Sequence, residues 1–223
     1  MRYKHVFAVC AYKDSPYLEQ CIRSLKAQTV PSHIIICTST PSSYIDRLAW
    51  KYGLQVCVRR GESGIKDDWN FAYSMAEGEL VTIAHQDDMY HRDYSARLLA
   101  AHRRYPDMTV FTTDYVIVKQ GALITGDAML WIKRILRTPL RFPQMNDRAW
   151  VKKLAFVLGN PICCPATTYH KAVLGEPFVR SEYSFALDWD NLVRLAEEPG
   201  RFICDERPLI DYRVHEDATT KAC

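Results

Sequence analysis

The sequence lacks several features that would assign it to a class at once. It has no C-x-x-C pair, no hydrophobic run of membrane-spanning length, and no repeat or low-complexity segment. Its 29 Lys and Arg residues nearly balance 26 Asp and Glu residues, so the net charge is only +3. This balance gives no basis for a nucleic-acid partner or a strongly acidic partner. Any charge-dependent function must depend on local groups.

The eight cysteines have neither the spacing of zinc ligands nor that of a disulfide framework. Most lie inside apolar runs, so we expect reduced, packed thiols of a cytosolic protein. The apolar run that starts near residue 6 is about seven residues long, which is too short for a signal peptide or a membrane span. We therefore expect a cytoplasmic protein that is neither secreted nor anchored by a transmembrane helix.

Strand and helix patterns alternate along the first half of the chain. Ser15 is expected to cap the first helix, with Pro16 at its first position. Gly53 and Gly78 are expected to stop the second and third helices. Four successive strand-helix units indicate an α/β fold whose Rossmann-like, mostly parallel sheet is flanked by helices. The apolar runs that predict the four strands are residues 6–11, 34–37, 54–58 and 80–84.

The second half of the chain is less regular. Residues 121–159 are rich in basic and aromatic side chains, and we expect an insertion or lid there. Regular structure is predicted to return after it. The predicted elements of this half are a strand at 109–113, a helix at 188–197, and two separate strands at 201–204 and 209–214.

Polar residues that directly follow the strands are the candidate ligand-binding groups, because ligands bind at the carboxyl ends of parallel strands. Asp87 and Asp88 follow the fourth strand, and two adjacent carboxylates repel each other unless a cation or several donors compensate. Mg²⁺ and Mn²⁺ are typically held by one or two carboxylates together with substrate phosphates. The pair therefore suggests a metal and a diphosphate substrate. An Asp-Asp pair that merely opens a loop is equally compatible with the residues.

Two N-terminal motifs resemble those of the inverting family 2 glycosyltransferases, which have the GT-A fold. Residues 9–13 (Val-Cys-Ala-Tyr-Lys) stand where that family has Pro-Thr-Tyr-Asn, which implies that Ala11 and Tyr12 lie near the nucleotide base. Residues 85–88 (His-Gln-Asp-Asp) stand at the family's D-x-D-D motif. The resemblance implies that Asp87 is the metal carboxylate and Asp88 its neighbour, and that His85 and Gln86 meet the nucleotide.

Two C-terminal motifs extend the resemblance over nearly the whole chain. Residues 187–190 (Leu-Asp-Trp-Asp) match the family's Glu-Asp-Trp-Asp segment, which implies that Asp188 is the general base. Residues 212–217 match a Tyr-Arg-x-His segment, which implies that His215 faces the metal and that Arg213 lies near the leaving diphosphate. From the residues alone, Asp188 could instead cap a helix, and His215 and Arg213 could be ordinary loop and strand residues.

The sequence departs from the family pattern at three motif positions. Thr38 and Ser39 replace an Asp-Asp pair at the end of the second strand, and Asp68 is a possible substitute for the base-binding carboxylate. His85 replaces the first aspartate of the D-x-D-D motif, and Leu187 replaces a glutamate. These replacements are compatible with a protein of this fold that binds nucleotide or glycan without turnover.

The resemblance implies a metal-dependent inverting glycosyltransferase, with Mg²⁺ or Mn²⁺ as cofactor. The donor would be a nucleoside diphosphate sugar, UDP- or dTDP-linked, and the acceptor a hydroxyl of a glycan or lipid-linked molecule in bacterial cell-surface polysaccharide assembly. Within one domain, residues 1–115 would form the nucleotide-sugar-binding half and 116–223 the acceptor-binding half with a C-terminal lid region. A sugar nucleotidyltransferase is disfavoured, because residues 9–15 contain no glycine for a phosphate loop.

Residues 129–142 form a basic amphipathic stretch inside an expected insertion near 126–150. It mixes aromatic and aliphatic residues with four basic residues and contains no acidic residue. Such a stretch can lie on the anionic inner face of the cytoplasmic membrane, which would suit a lipid-linked acceptor. A helix that covers the edge of the domain with a solvated basic face explains the pattern equally well.

Overall fold

The computed structural model describes residues 2–124, 126–183 and 186–215. These residues form a mixed sheet of nine strands with helices on both faces. The strands are β1 (Tyr3–Ala11), β2 (His33–Thr38), β3 (Gln55–Val58), β4 (Gly78–His85), β5 (Met89–Tyr90), β6 (Met108–Lys119), β7 (Ala122–Ile124), β8 (Thr167–His170) and β9 (Arg201–Val214). The helices are α1 (Leu18–Lys26), α2 (Ser43–Tyr52), α3 (Ile65–Met75), α4 (Tyr94–Arg104), α5 (Ala128–Leu136), α6 (Ala149–Leu154), α7 (Lys171–Leu174) and α8 (Leu187–Glu197).

The first four strands form the parallel half of the sheet, as the sequence predicts. Their spatial order is β3-β2-β1-β4, and each pairs in parallel with its neighbour. The order then continues through β8, β6, β9 and β5, where β8 is antiparallel to both β4 and β6. The mixed α/β class and the mostly parallel first half are therefore confirmed.

Alternation along β1 places its side chains in two separate cores. Phe7 and Val9 lie in the core formed with α1, α2 and α4. Val6 and Ala8 lie in the core on the opposite face, which includes residues of α3 and α8. Because successive strand residues point to opposite faces, a central strand with both faces covered needs a continuous apolar run. This requirement explains the uninterrupted apolar residues 6–9.

Two glycines act differently at the ends of helices. Gly53 follows α2 with φ +60°, in the left-handed conformation, as predicted for a helix stop. Gly78 does not terminate α3 directly, since α3 ends at Met75 and Gly78 is the first residue of β4. A β-carbon on Gly78 would lie 2.8 Å from a methyl group of Val6, so close packing against β1 requires glycine there.

The structure corrects several predicted boundaries. Helix α1 begins at Leu18 after Tyr17, so Ser15 is not its N-cap and Pro16 is not its first residue. The strand expected at 109–113 extends over the twelve residues of β6. The two strands expected at 201–204 and 209–214 are one strand, β9, because β6 pairs with its whole length across a register shift near Asp114.

The expected insertion at 121–159 contains regular elements, namely β7, α5, a 3-10 turn (Thr138–Arg141) and α6. A buried ion-pair cluster holds α5 against the sheet. Arg134 and Arg137 both contact the carboxylate of Asp114 on β6, and Arg137 and Asp114 are each at least 95% buried. Arg141 also pairs with Glu206, so three of the four basic residues of 129–142 are bound to the protein itself.

The seven cysteines within the described residues carry free thiols, in agreement with the predicted reduced state. Across residues 2–124, 126–183 and 186–215, no helix has the length and hydropathy needed to cross a membrane.

Candidate active site

The carboxyl ends of β1, β2 and β4 and the C-terminal end of β9 bring the predicted site residues to one edge of the sheet. A double hydrogen bond joins the first two motifs. The Gln86 amide accepts the Tyr12 backbone N–H at 2.9 Å and donates to the Tyr12 carbonyl at 3.0 Å. Gln86 therefore positions the backbone after Ala11 and leaves the Tyr12 ring 46% exposed. The next residue, Lys13, turns the chain with φ +53°.

Asp87 is the carboxylate that this edge presents for a cation. Its Oδ1 accepts a hydrogen bond from the Ser15 hydroxyl at 3.0 Å, and its Oδ2 lies 3.3 Å from Nε2 of His215. That nitrogen is buried, and no described residue is in hydrogen-bonding geometry with it. A buried, unpartnered ring nitrogen beside a carboxylate oxygen fits a shared metal ion, since imidazole and carboxylate are both metal ligands.

Asp88 has a different environment from Asp87. Its side chain is 2% exposed, and Oδ1 accepts the backbone N–H of Arg213 at 2.8 Å. Burial raises the pKa of Asp88 to about 8, with the Asp87 charge adding to the increase and the Arg213 N–H opposing it. In this arrangement Asp88 ties the end of β9 to the end of β4.

Arg213 is held across the same edge by three groups. Its Nε donates to the Asp87 carbonyl at 2.9 Å, its guanidinium lies 4.3 Å from the centre of the Tyr17 ring, and Nη2 donates to Gln20 at 2.6 Å. These contacts fix a positive charge next to the Asp87–His215 pair. The remaining residues of this C-terminal segment, 216–223, lie outside the described residues.

The predicted base-binding groups lie together at the end of β2. The Asp68 carboxylate accepts hydrogen bonds from Arg59 at 2.7 Å and from the hydroxyls of Ser39 and Ser63, each at 3.0 Å. Thr38 is 2% exposed, and its hydroxyl accepts the Thr40 N–H at 3.0 Å. Asp68 thus contacts Ser39, as expected if Asp68 substitutes for the family's base-binding carboxylate. Both oxygens of Asp68, however, already accept hydrogen bonds from protein donors.

Asp188 lies in the first turn of α8, after Ala186, whose φ is +57°. Its side chain does not cap that helix, and its Oδ2 instead accepts a hydrogen bond from the Asn160 amide at 2.8 Å. Burial raises the pKa of the Asp188 carboxyl, although backbone N–H groups at the helix start and the Lys133 charge oppose the increase. A carboxylate with a raised pKa is a stronger base.

His85 connects the edge of the sheet that carries Asp87 to the side of the site that carries Asp188. Its Nε2 lies 3.7 Å from the Cys164 sulfur, its ring stacks on Trp69 at 5.5 Å, and its Nδ1 lies 4.0 Å from Asp88. Burial lowers the pKa of His85 to about 4, so the imidazole is neutral at pH 7. Burial also raises the pKa of the Cys164 thiol, which is therefore un-ionised.

Sequence reasoning missed the roles of Ser15, Arg59 and Asn160. Ser15 was predicted to cap α1 and instead donates to Asp87. Asn160 lies between Gly159 and Pro161, and that stiff context was a usable signal for a positioned loop. Nothing in the sequence around Arg59 pointed to Asp68 as its partner.

Solved structures with the same fold contain sugar nucleotides. The 1–349 fragment of S. aureus TarS in complex with UDP-GlcNAc superimposes with a TM-score of 0.71 at 18% identity, covering 99% of this chain and 61% of that one. The mannosyltransferase PcManGT from Pyrobaculum calidifontis with GDP-Man and Mn²⁺ gives 0.67 at 14% identity, covering 100% and 60%. Glucosyl-3-phosphoglycerate synthase from Mycobacterium tuberculosis with Mn²⁺, UDP-Glc and phosphoglyceric acid gives 0.68 at 12%, covering 99% and 75%.

Together these likenesses show that the chain has the GT-A fold. The chain belongs to glycosyl transferase family 2, because the family's sequence profile matches residues 6–159. Comparison with curated protein sequences gives no match. The chain spans about three fifths of the length of the TarS fragment. The family and fold predicted from the sequence are confirmed.

Proposed function

We propose that this domain transfers a sugar from a nucleoside diphosphate sugar, UDP- or dTDP-linked, to a hydroxyl of a glycan or lipid-linked acceptor, with inversion. The observation that carries the proposal is the buried, unpartnered His215 Nε2, which lies 3.3 Å from Asp87 at the carboxyl edge of the sheet. Ligands of open α/β sheets bind at this edge. TarS and PcManGT, which share the fold, were solved with UDP-GlcNAc and GDP-Man.

Asp87 and His215 are the residues that would hold Mg²⁺ or Mn²⁺. Bound there, the ion would neutralise the negative charge of the diphosphate as it leaves. Ser15 orients the carboxylate by donating to Oδ1, which leaves Oδ2 directed at His215. Asp88 contributes by position, since its hydrogen bond to the Arg213 backbone holds the end of β9, and therefore His215, at this edge.

Arg213 supplies a fixed positive charge for the same diphosphate. Its contacts with the Asp87 carbonyl, Gln20 and the Tyr17 ring restrict the guanidinium before any ligand arrives. A charge that is already oriented needs little reorganisation when negative charge develops, so its electrostatic effect is larger than that of a mobile side chain.

Asp188 is the proposed general base that removes the proton from the acceptor hydroxyl. The Asn160 amide donates to Oδ2 of this carboxylate, and backbone N–H groups at the start of α8 contact it as well, so its position is fixed. Burial raises the Asp188 pKa, which increases its strength as a base near neutral pH. Lys133 of α5 also lies close enough to affect this carboxylate electrostatically, which supports an acceptor-side role for α5.

We assign the nucleotide-sugar-binding half to residues 1–115 and the acceptor-binding half to residues 116–223, which contain Asp188 and α5. His215 and Arg213 belong to the second half and reach the diphosphate of the donor from there. In the donor half, we propose that Tyr12, Ser39, Asp68 and the Ala11 backbone surround the nucleotide base, with Thr38 beneath them. For the base to bind through Asp68, one of its hydrogen bonds to Ser39, Ser63 or Arg59 must be exchanged for the ligand. Gln86 and His85 adjoin this region through Tyr12 and Trp69.

We propose peripheral contact with the anionic inner face of the cytoplasmic membrane through residues 129–142, during assembly of a bacterial cell-surface polysaccharide. Among the described residues, more than half of the exposed large apolar side chains lie between 129 and 158. Trp131 and Ile135 on α5 are 65% and 49% exposed. The exposed apolar side chains carry this proposal, since Arg134 and Arg137 are paired with Asp114.

A thermal-shift screen against UDP, GDP, CMP, dTDP and ADP, each with and without Mn²⁺, tests the proposal. A ligand that binds only the folded state raises the melting temperature. We expect a shift for one nucleoside diphosphate that requires Mn²⁺ and disappears in Asp87→Asn. The exposed Asp46→Asn change on α2 removes the same charge elsewhere and should leave the shift intact. Absence of any nucleotide shift would contradict the proposal and favour a non-catalytic, glycan-binding protein.

A further inference from the structure

A second group of metal-ligating side chains lies far from the candidate active site. Glu79 is the second residue of β4, His102 lies in the last turn of α4, and His170 ends β8. Their potential ligand atoms all lie within 4.8 Å of one another. Glu79 is six residues before His85 on the same strand, which separates the two sites by roughly 20 Å. The group is therefore at the opposite edge of the sheet from Asp87.

Both imidazoles direct Nε2 toward the same oxygen. His102 Nε2 is 3.5 Å and His170 Nε2 is 3.6 Å from Oε1 of Glu79. These separations are too long for an N–H···O hydrogen bond. They are close to the ligand-to-ligand spacing of about 3.3 Å that a tetrahedral ion with bonds near 2.0 Å requires. Both nitrogen-to-oxygen separations thus suit ligands of one ion better than hydrogen-bond partners, and the two nitrogens lie within 4.8 Å of each other.

The protonation pattern also leaves these nitrogens available. His170 Nδ1 lies 2.8 Å from the Met108 carbonyl, so Nδ1 carries the hydrogen and Nε2 of the neutral ring carries a lone pair. His102 Nε2 is buried, and no described residue forms a hydrogen bond with it. The side chains of His102 and His170 are 8% and 7% exposed. A buried ring nitrogen without a hydrogen-bond partner that faces a carboxylate is an arrangement that a shared cation would satisfy.

The environment of Glu79 completes the arrangement. Lys4 binds the other carboxylate oxygen, Oε2, at 2.7 Å and leaves Oε1 facing the two histidines. The Glu79 side chain is 30% exposed, so an ion and a water ligand can enter from that side. Two imidazoles and one carboxylate oxygen favour a transition-metal ion over Mg²⁺ or Ca²⁺, which prefer oxygen ligands.

We propose that Glu79, His102 and His170 form a Zn²⁺ site that is separate from the catalytic metal site. Three protein ligands and one open position are a common zinc arrangement. The ligands come from β4, α4 and β8, so a bound ion would fasten α4 to the centre of the sheet and stabilise the folded chain. This stabilising role does not depend on sugar transfer.

Zinc retention and thermal stability of the whole chain test the site. We expect the purified protein, dialysed against Zn²⁺ and then against metal-free buffer, to retain one equivalent of zinc by elemental analysis. Its melting temperature should rise with Zn²⁺ and fall with EDTA. Co²⁺ in place of Zn²⁺ should give the visible absorption bands of a tetrahedral N/O site.

Matched variants separate this site from others. Glu79→Gln changes a ligand whose side chain is 30% exposed and keeps its size, so packing is little affected. It should weaken Zn²⁺ binding at least about tenfold, the loss that even an outer-sphere partner can cause. His102→Gln should do the same. Glu77→Gln, an exposed neighbour, and Asp87→Asn, at the catalytic edge, should both retain the zinc. No zinc in the wild type, or unchanged binding in Glu79→Gln, would overturn the proposal.

Discussion

At the scale of single residues, Asp114 is the buried charge on which the position of α5 depends. Its carboxylate pairs with Arg137, which is 3% exposed, and with Arg134 at 2.7 Å. Removing one partner of a buried pair leaves the other charge without compensation in a low-dielectric environment. The cost of such a change greatly exceeds that of breaking an ion pair in solvent.

We predict that Asp114→Ala lowers the free energy of unfolding by about 3 kcal/mol or more. Urea titration followed by circular dichroism measures this quantity. The control is Asp107→Ala, which breaks an ion pair with Arg201 in which the Asp107 side chain is 46% exposed. The control should cost less than about 1 kcal/mol. Equal losses in the two variants would contradict the proposed role of Asp114.

Individual site residues were predictable from the sequence to different degrees. Asp87, His215 and Arg213 lie together, as the motifs implied. The reason is that each motif is at the end of a strand, and these strand ends meet at one edge of the sheet. The contacts of Ser15, Arg59 and Asn160 were not predictable. Their partners Asp87, Asp68 and Asp188 lie in other elements of the fold, and no local sequence pattern links the members of each pair. The difference between Asp87 and Asp88 also required the structure, because burial separates two residues that are adjacent in sequence.

At the scale of elements, α5 presents an apolar face that the domain does not cover. Met129, Trp131, Ile132 and Ile135 are between 47% and 65% exposed. Arg134 and Arg137 do not form a free basic face, since both pair with Asp114 and dock the helix on β6. The helix is therefore anchored on one side and apolar on the other, as an interfacial helix requires.

We predict that the domain sediments with phosphatidylglycerol-containing vesicles and that Trp131→Ser with Ile135→Ser reduces the bound fraction several-fold. The physical reason is loss of apolar area that would enter the lipid interface. Trp50→Ser on α2 is the matched control, because Trp50 is 88% exposed but lies outside residues 129–158. If the double variant bound vesicles as well as this control, the α5 contact would be excluded.

Element boundaries show where sequence patterns lose information. The β-α units of the first half were predictable because apolar strand runs alternate with helical stripes, although of the two predicted glycine stops only Gly53 ends its helix. The sequence did not predict that β9 is one continuous strand, because exposed polar residues in its middle and Pro208 interrupt the apolar pattern. Pairing with β6 nevertheless continues on both sides of the register shift. Tertiary pairing, not local propensity, determines that strand.

At the scale of the whole molecule, two groups of potential metal-ligating side chains lie at opposite edges of the sheet. The carboxyl edge carries Asp87, His215 and Arg213, with Asp188 on the adjoining side, which we propose binds the acceptor. The opposite edge carries the Glu79, His102 and His170 group. The central claim of the account is that the carboxyl edge binds donor and metal while Asp188 removes the acceptor proton. Binding and turnover should then be separable by a single substitution.

The most direct test is nucleoside diphosphate release from the donor chosen by the nucleotide screen, with Mn²⁺ and a bacterial envelope glycan and glycolipid extract as acceptor. We predict that Asp188→Asn lowers the release rate by about 10²–10⁴-fold, the usual contribution of a general base, while the Mn²⁺-dependent thermal shift by nucleotide persists. Asp190→Asn, two residues further along α8, should retain the rate. A wild-type rate in Asp188→Asn, or loss of its nucleotide binding, would contradict the account.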